Sequence, residues 1–257
     1  MNTHLLFSPR FAAPRFAAST KFYLTLSLIM YILLIKGGCK MRRIILVRHG
    51  QTVWNKEEIF RGRIDIDLDE VGIAQAKLLA RTLGNQQINA VYSSPLKRAV
   101  NTAISIANYH QNKVCIDDHF IDMNYGKWEG KSCDEIKETF RDLYQKWIKD
   151  PHLIRIPDGE TLNEVRLRAI IGLNQILDKY EGKTIIIVSH RVVNKMLICA
   201  LLGLENSSFW KIKQDTACFS IFDYDDNNFT LTLHNESCHL KPIQTQSELH
   251  KLDVENS

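Results

Sequence analysis

Short apolar runs and amphipathic stretches alternate along the chain from Met41 onward. Runs that are rich in β-branched residues and almost uninterrupted predict buried strands. Apolar positions three or four residues apart predict helices with one buried face. The predicted strands are residues 42–47, 88–94, 114–116 and 184–189, and the predicted helices are residues 70–83, 95–107, 132–149, 161–179 and 190–202.

Helix-start signals support these assignments. Ser94 followed by Pro95 is typical of an N-cap with proline at the first helical position. A serine or threonine followed three residues later by glutamate forms a capping box, in which each side chain bonds the other residue's backbone N–H. Such boxes are predicted for Ser132 with Glu135 and for Thr161 with Glu164.

The order of the elements predicts the fold class. Strands that alternate with helices indicate an α/β domain, here a three-layer α/β/α sandwich with a mostly parallel sheet covered on both faces. The runs FSIFDY and FTLTLH, separated by residues 225–228, predict a closing hairpin. We expect one domain over residues 41–240, between a leader of residues 1–40 and a polar tail of residues 241–257.

The leader is basic and contains no acidic residue. Taking its five lysines and arginines from the 33 in the chain leaves 28 cations against 29 acids. The formal charge of +4 is therefore a property of the leader. It gives no reason to expect nucleic-acid binding by the domain.

Residues 22–35 form an apolar run that is short for a spanning helix, which needs about 20 residues. Three interpretations stay open: an uncleaved membrane anchor, a targeting peptide, or an upstream start that is not used. We favour the third, because a strand-like run follows Met41 at once. It predicts a cytoplasmic protein, with membrane contact only if the run is an anchor, and the N-terminal mass of the native protein tests it.

The six cysteines show neither a CxxC pair nor a zinc-type spacing with histidine. Several lie within apolar runs, so we expect reduced core thiols in a reducing compartment. No HExxH, P-loop or dinucleotide-binding motif occurs in its proper context, so we expect neither a metal nor another cofactor. The tryptophans are expected in the core or in pocket walls, and they are Trp54, Trp128, Trp147 and Trp210.

Charged residues follow three of the predicted strands. Arg48 and His49 end the first, Ser94 and then Arg98 follow the second, and His190 follows the third long strand at 184–189. Ligands of open α/β sheets bind beyond the carboxyl ends of the strands, and the planar fork of arginine suits phosphate oxygens. A helix N-terminus near Ser94 adds positive partial charge. The sequence therefore predicts an anion pocket, with phosphate as the expected ligand.

Five stretches form an ordered set of motifs around these residues. They are LVRHGQTVWN (46–55), SSPLKRAVNTA (93–103), YGKWEG (125–130), DGET (158–161) and VSH (188–190). Together they resemble the histidine phosphatase superfamily, also called the phosphoglycerate mutase-like family. RHG alone is a weak signal, but its combination with the later motifs over roughly residues 41–240 is highly specific.

The resemblance implies a catalytic role for His49, which is similar to the nucleophile that becomes phosphorylated in the family. Phosphoryl transfer depends on positioning and on neutralising charge on the phosphate oxygens. We expect a neutral His49, with its tautomer set by a backbone hydrogen bond, to attack while a protonated His190 stays beside the phosphate. The residues expected to hold the phosphate are Arg48, Arg98 and His190, with Asn55 and Thr52 adding hydrogen bonds.

The leaving alkoxide needs a proton donor. The family places a carboxylic acid, usually glutamate, four residues before the glycine of a YG motif, and here that position is Asp122. Aspartate is one methylene shorter, so either the backbone lies closer to the substrate or a water bridges the gap. Alternatively Asp122 caps a loop, and Glu129 or Glu160 is the acid.

A second departure from the family follows His190, where many relatives have glycines and this chain has Arg191. At the rim of the pocket, Arg191 would contact a second anion on the substrate. The alternative is a solvated or paired residue at the start of a helix.

The family divides between hydrolysis and mutase chemistry. Its mutases carry an arginine-rich insertion after the acid motif, with adjacent arginines that grip a carboxylate, whereas residues 131–151 contain only Arg141. We therefore predict a phosphatase that acts on a small-molecule phosphomonoester, similar to the branch named alpha-ribazole phosphatase or broad-specificity phosphatase. The alternatives are phosphoglycerate mutase-type transfer and a non-catalytic phosphate-binding protein on the same fold.

Overall fold

The computed structural model describes residues 41–225 and 228–243. These residues form one mixed sheet with helices on both faces. The strands are β1 (Arg42–Arg48), β2 (Ala90–Ser93), β3 (Val114–Ile116), β4 (Thr184–Ser189), β5 (Phe219–Asp225) and β6 (Asn228–Glu236). The helices are α1 (Val53–Lys56), α2 (Glu70–Leu83), α3 (Lys97–Tyr109), α4 (Cys133–Thr139), α5 (Arg141–Lys149), α6 (Leu162–Lys179) and α7 (Arg191–Leu201).

The sheet has the order β3-β2-β4-β1-β5-β6. The four strands from β3 to β1 are mutually parallel, and Ile45 of β1 pairs with Ile186 of β4. Strand β5 runs antiparallel to β1, and β6 runs antiparallel to β5 as the predicted hairpin. Since β2, β4 and β1 are neighbours, their carboxyl ends lie side by side.

Alternate residues of each central strand supply two separate cores. Ile44 and Leu46 of β1 pack in the larger core with α6 and α7, whereas Ile45 and Val47 pack in the second core with α2 and α3. This alternation follows from the two-residue period of a strand, and burial of these side chains stabilises both layers. The predicted three-layer α/β/α sandwich is confirmed.

The predicted start of the helix after β2 is wrong by two residues. Helix α3 begins at Lys97, whose backbone N–H donates to Asp65 Oδ1 at 2.8 Å. The cap is thus supplied by a distant loop. Ser94 is therefore not the N-cap, and its hydroxyl lies 2.7 Å from Nε2 of His190 instead.

The predicted helix over residues 132–149 is two helices. Phe140, with φ −127° and ψ 39°, separates α4 from α5. Its ring packs against Trp128 in the larger core, with the ring centroids 6.3 Å apart. Both predicted capping boxes are present, at the starts of α4 and α6.

The sequence interpretation of the thiols is confirmed in part. The described cysteines are free; Cys199 and Cys218 are buried, but Cys115 and Cys238 are exposed. Cys115 is exposed because β3 is the edge strand of the sheet, so the expectation of core thiols is wrong for these two residues.

The leader and most of the predicted tail lie outside the described residues, so the interpretations of both stay predictions. These predictions include translation from Met41 and a cytoplasmic location. Across the described part of the chain, no helix combines the length and the apolar character needed to cross a membrane. The run at 22–35 lies outside these residues.

Candidate active site

The ends of β1, β2 and β4 bring two histidines together. The backbone N–H of His49 donates to the carbonyl of Ser189 at 3.0 Å, which ties the end of β1 to the end of β4. The rings of His49 and His190 have centroids 5.1 Å apart. The sequence prediction that these strand ends lie side by side is therefore confirmed, and the anion pocket at this place stays a prediction.

His49 is held in one tautomer. Its Nδ1 lies 2.7 Å from the carbonyl oxygen of Gly50, which accepts hydrogen bonds, so Nδ1 carries the proton and Nε2 keeps its lone pair. The side chain is buried, with 1% of its surface exposed. Burial, together with the charges of His190 and the nearby arginines, holds the pKa of His49 well below its usual value. His49 is thus a neutral imidazole at neutral pH.

The Gly50 carbonyl is placed by a close backbone approach. A Cβ on Gly50 would lie 2.6 Å from the carbonyl oxygen of Gly72 in α2. The Gly50 N–H donates to the Thr102 hydroxyl at 3.1 Å. A side chain at residue 50 would separate these segments and shift the acceptor that sets the His49 tautomer.

Three arginines converge beside the two histidines. Arg48, Arg61 and Arg98 each have a buried Nε without a hydrogen-bond partner among the described residues. Buried donors are normally satisfied, so these three N–H groups close to the two histidines make this place a candidate anion site. Arg98 is held by the carbonyl oxygens of Gly62 and Ile64, at 2.7 and 2.9 Å.

Arg61 is a site residue that the sequence reasoning missed. Its signal was the Arg-Gly-Arg sequence at 61–63, but the pattern does not show which arginine points inward. In the structure Arg63 is partly exposed and pairs with Glu160 at 3.2 Å, whereas Arg61 lines the site cavity. Burial is the main cause that lowers the pKa of Arg61 to about 10, so the side chain stays charged at neutral pH.

Asp122 lies between the arginines and His190. Its Oδ1 accepts from the backbone N–H of Met123 at 2.9 Å, and its Oδ2 lies 3.2 Å from Arg98 Nη2 and 3.5 Å from His190 Nδ1. The nearby carboxylate favours a charged His190, but burial and the surrounding arginines outweigh it and lower the His190 pKa well below its usual value. The expectation of a protonated His190 concerns the phosphate-bound pocket and stays a prediction.

The comparison with known proteins agrees with this geometry. The model of the histidine phosphatase superfamily (branch 1) matches residues 44–237. The chain belongs to this superfamily. Its named phosphatase relatives support a phosphoric monoester hydrolase.

Three similar proteins carry different functional names. "Phosphoserine phosphatase 1" of Hydrogenobacter thermophilus is 34% identical over 200 residues, which are 78% of this chain and 95% of that protein. "Probable phosphoglycerate mutase GpmB" of Yersinia pestis is 30% identical over 187 residues, which are 73% and 87% of the two chains. The structure of the alpha-ribazole phosphatase from Shigella flexneri has a TM-score of 0.70 at 28% identity, and covers 76% of this chain and 96% of that one.

The three candidate acids of this histidine phosphatase have different surroundings. Asp122 lines the site cavity, and Glu129 and Glu160 do not. Glu129 accepts from the backbone N–H groups of Arg63 and Tyr125, at 2.9 and 3.1 Å, and so closes a loop. Glu160 is paired with Arg168 at 2.9 Å. The two rival acids therefore have structural partners and lie outside the cavity lining.

Thr52 and Asn55 are joined to each other. The Thr52 hydroxyl and backbone N–H both donate to Asn55 Oδ1, at 3.0 and 2.9 Å. Arg61 Nη1 also donates to the Thr52 hydroxyl, at 3.4 Å. This arrangement occupies the Asn55 oxygen and leaves its amide nitrogen as the donor in the cavity wall. A direct phosphate contact by Asn55 or Thr52 stays a prediction.

Asp122 and Arg61 line a cavity of about 330 Å³. Aromatic side chains form part of its wall, which also includes Glu58 and Arg191. Three of the four tryptophans line it, and Trp128 is buried in the core, as the sequence predicts. Among the described residues, no group of three or more His, Cys, Asp or Glu side chains is arranged to hold a metal ion. The aromatic wall consists of Trp54, Phe60, Tyr125, Tyr144, Trp147 and Trp210.

Proposed function

We propose that this chain hydrolyses small phosphomonoesters through a phosphohistidine formed on Nε2 of His49. One observation carries the proposal. A buried neutral imidazole, fixed by Gly50, lies among three arginines whose Nε–H groups have no partner in the described residues. An imidazole lone pair beside an anion-binding set suits nucleophilic attack on phosphorus.

In the first step, Arg48, Arg61 and Arg98 neutralise the phosphate oxygens, and His49 Nε2 attacks phosphorus as the P–O ester bond breaks. Asp122, as the carboxylic acid, gives its proton to the leaving alkoxide oxygen. In the second step, water attacks the phosphohistidine while the Asp122 carboxylate accepts its proton. Inorganic phosphate leaves, and His49 regains its lone pair.

Asp122 lies beside the arginine that would also bind the ester phosphate. Its Oδ2 is 3.2 Å from Arg98 Nη2. The proposed acid is therefore close to the phosphate group whose leaving oxygen it would protonate.

The identity of the alcohol is a finer proposal. The aromatic cavity wall and the similar alpha-ribazole phosphatase support an alpha-ribazole phosphate-like ester. The relative named phosphoserine phosphatase supports phosphoserine. Mutase-type transfer is less favoured, because Arg141 is exposed and is not part of the cavity wall.

A substrate panel with rapid quench tests the proposal. The panel contains nitrophenyl phosphate, alpha-ribazole phosphate, phosphoserine and phosphoglycerates, and it is scored for inorganic phosphate against transferred phosphate. We expect hydrolysis that vanadate inhibits and EDTA does not, with acid-labile, base-stable phosphate on His49. Tight phosphate binding without turnover of any ester would support the non-catalytic alternative, and phosphate transfer between glycerates would support a mutase.

Replacing Asp122 with asparagine is expected to affect esters according to their leaving groups. An alkyl ester such as glycerol phosphate needs a proton on its leaving oxygen and should lose about 10²–10⁴-fold in kcat. Nitrophenyl phosphate has a stable leaving anion and should lose far less. The measurement is kcat for both esters, with Glu129→Gln as the matched control. Equal losses on both esters would remove Asp122 from the role of acid.

A further inference from the structure

The arginines at the phosphate end carry more charge than a substrate phosphate neutralises. Arg48, Arg61 and Arg98 hold their unpartnered Nε atoms there, and Arg191 lies in the cavity wall. Of the described carboxylates, Asp122 makes the ion pair within this group, through Arg98. A phosphate dianion brings two negative charges to these four positive ones. Because Asp122 is the neutral carboxylic acid in the proposed first step, it does not offset the positive charge that remains.

Of these four arginines, Arg191 is the one available to bind a further anion. It begins α7, directly after His190, and is half-buried. Its guanidinium interacts with the hydroxyl of Tyr125 in the cavity wall. Among the described residues no carboxylate forms an ion pair with Arg191, and this includes Glu58, which lines the same cavity. The guanidinium therefore has donors available to the cavity.

The charge of Arg191 reaches the phosphate site. Burial is the main cause that lowers the pKa of Arg48 to about 9, and repulsion from Arg191 is the next cause. Lys195 lies one turn further along α7. Its ammonium group contacts the Phe209 and Trp210 rings, at 4.5 and 4.8 Å from their centroids. An anion beside Arg191 would relieve this repulsion.

We propose, on the basis of the proposed hydrolysis, that Arg191 selects phosphomonoesters whose alcohol carries a carboxylate. The ester phosphate lies against Arg48, Arg61 and Arg98, and the alcohol extends into the cavity. Its carboxylate accepts hydrogen bonds from Arg191. A carboxylate supplies the negative charge that Arg191 does not find in an ion pair among the described residues. Arginine binds carboxylates with two parallel hydrogen bonds, which fixes direction as well as charge.

Two pairs of esters that differ by one carboxylate test this role. The pairs are phosphoserine with phosphoethanolamine, and 3-phosphoglycerate with glycerol 3-phosphate. The wild-type protein should prefer the carboxylate member by about 10–100-fold in kcat/KM, which is typical of a charge-assisted hydrogen bond. Arg191→Gln should reduce this ratio to about 1–3, mainly through KM, because the contact exists in both ground and transition states. Arg141→Gln removes an exposed arginine outside the cavity wall and should keep the wild-type ratio.

The results separate this proposal from the proposed function. If nitrophenyl phosphate is hydrolysed but the wild-type ratios are close to 1, the Arg191 proposal alone fails. It also fails if Arg191→Gln slows both members of a pair equally. If no ester is hydrolysed, calorimetric binding of 3-phosphoglycerate and glycerol 3-phosphate still gives the ratio for wild type and Arg191→Gln. Equal affinities for the two ligands in the wild type would then overturn the proposal.

Discussion

Replacing His49 with alanine is expected to lower kcat for nitrophenyl phosphate by at least about 10⁴-fold, because the lone pair that attacks phosphorus is lost. The three arginines stay in place in this variant. Affinity for inorganic phosphate should therefore change by less than about 10-fold, since most of the attraction comes from their charge. The measurements are kcat with the aryl ester and calorimetric binding of phosphate.

A matched control replaces a histidine outside the site. His234 lies on β6 and is exposed, with its Nδ1 3.3 Å from the Ser220 hydroxyl. His234→Ala should retain wild-type kcat. If His49→Ala keeps a tenth of the wild-type rate, attack by water without a covalent intermediate would replace the proposed mechanism. A parallel loss of phosphate binding would indicate instead that the pocket had collapsed.

The sequence predicts the fold because local and global signals agree. The apolar run of β4 is predicted at its observed bounds, and α2 and α6 begin and end within a residue of their predicted positions. Each of these elements buries a continuous face. The errors fall where a distant residue decides the local structure, as when Asp65 caps α3 in place of Ser94 or when Phe140 packs into the core and divides a helix.

The contrast between local and distant determinants also explains which site residues the sequence predicts. His49 and His190 follow strands whose neighbours can be inferred, so their meeting is predictable from topology. Arg61 lies in a loop between α1 and α2, and its direction depends on contacts with residues far along the chain. Gly62 shows this dependence, because a Cβ there would clash with the Glu129 carboxylate. Residue types alone do not encode such a loop position.

Arg98 contacts both the proposed acid Asp122 and a loop of the site. It is fully buried, with 0% of its surface exposed. Its guanidinium anchors the 62–64 loop, through the Gly62 and Ile64 carbonyls, and pairs with Asp122 at 3.2 Å. A bound phosphate would share the same guanidinium, so loss of Arg98 should affect stability and catalysis together.

Arg98→Ala is expected to lower kcat/KM by about 10²–10³-fold, the loss typical of removing one preorganised donor to a developing negative charge. The free energy of unfolding should fall by about 3–5 kcal/mol, since the change leaves the Asp122 carboxylate buried without its partner. Arg98→Lys keeps the charge but loses the planar fork, so intermediate losses are expected. The measurements are steady-state kinetics and urea unfolding.

A double-mutant cycle with Asp122 separates the two causes of instability. Asp122→Ala removes the carboxylate that Arg98→Ala would leave unpaired. The loss in free energy of unfolding of the double variant should therefore be about 1–3 kcal/mol smaller than the summed losses of the two single variants. Arg81→Ala, an exposed change on α2, should be additive with Asp122→Ala. If the Arg98 and Asp122 losses simply add, the cost of Arg98→Ala comes from the anchored loop and the cavity left behind, and the ion pair itself contributes little to stability.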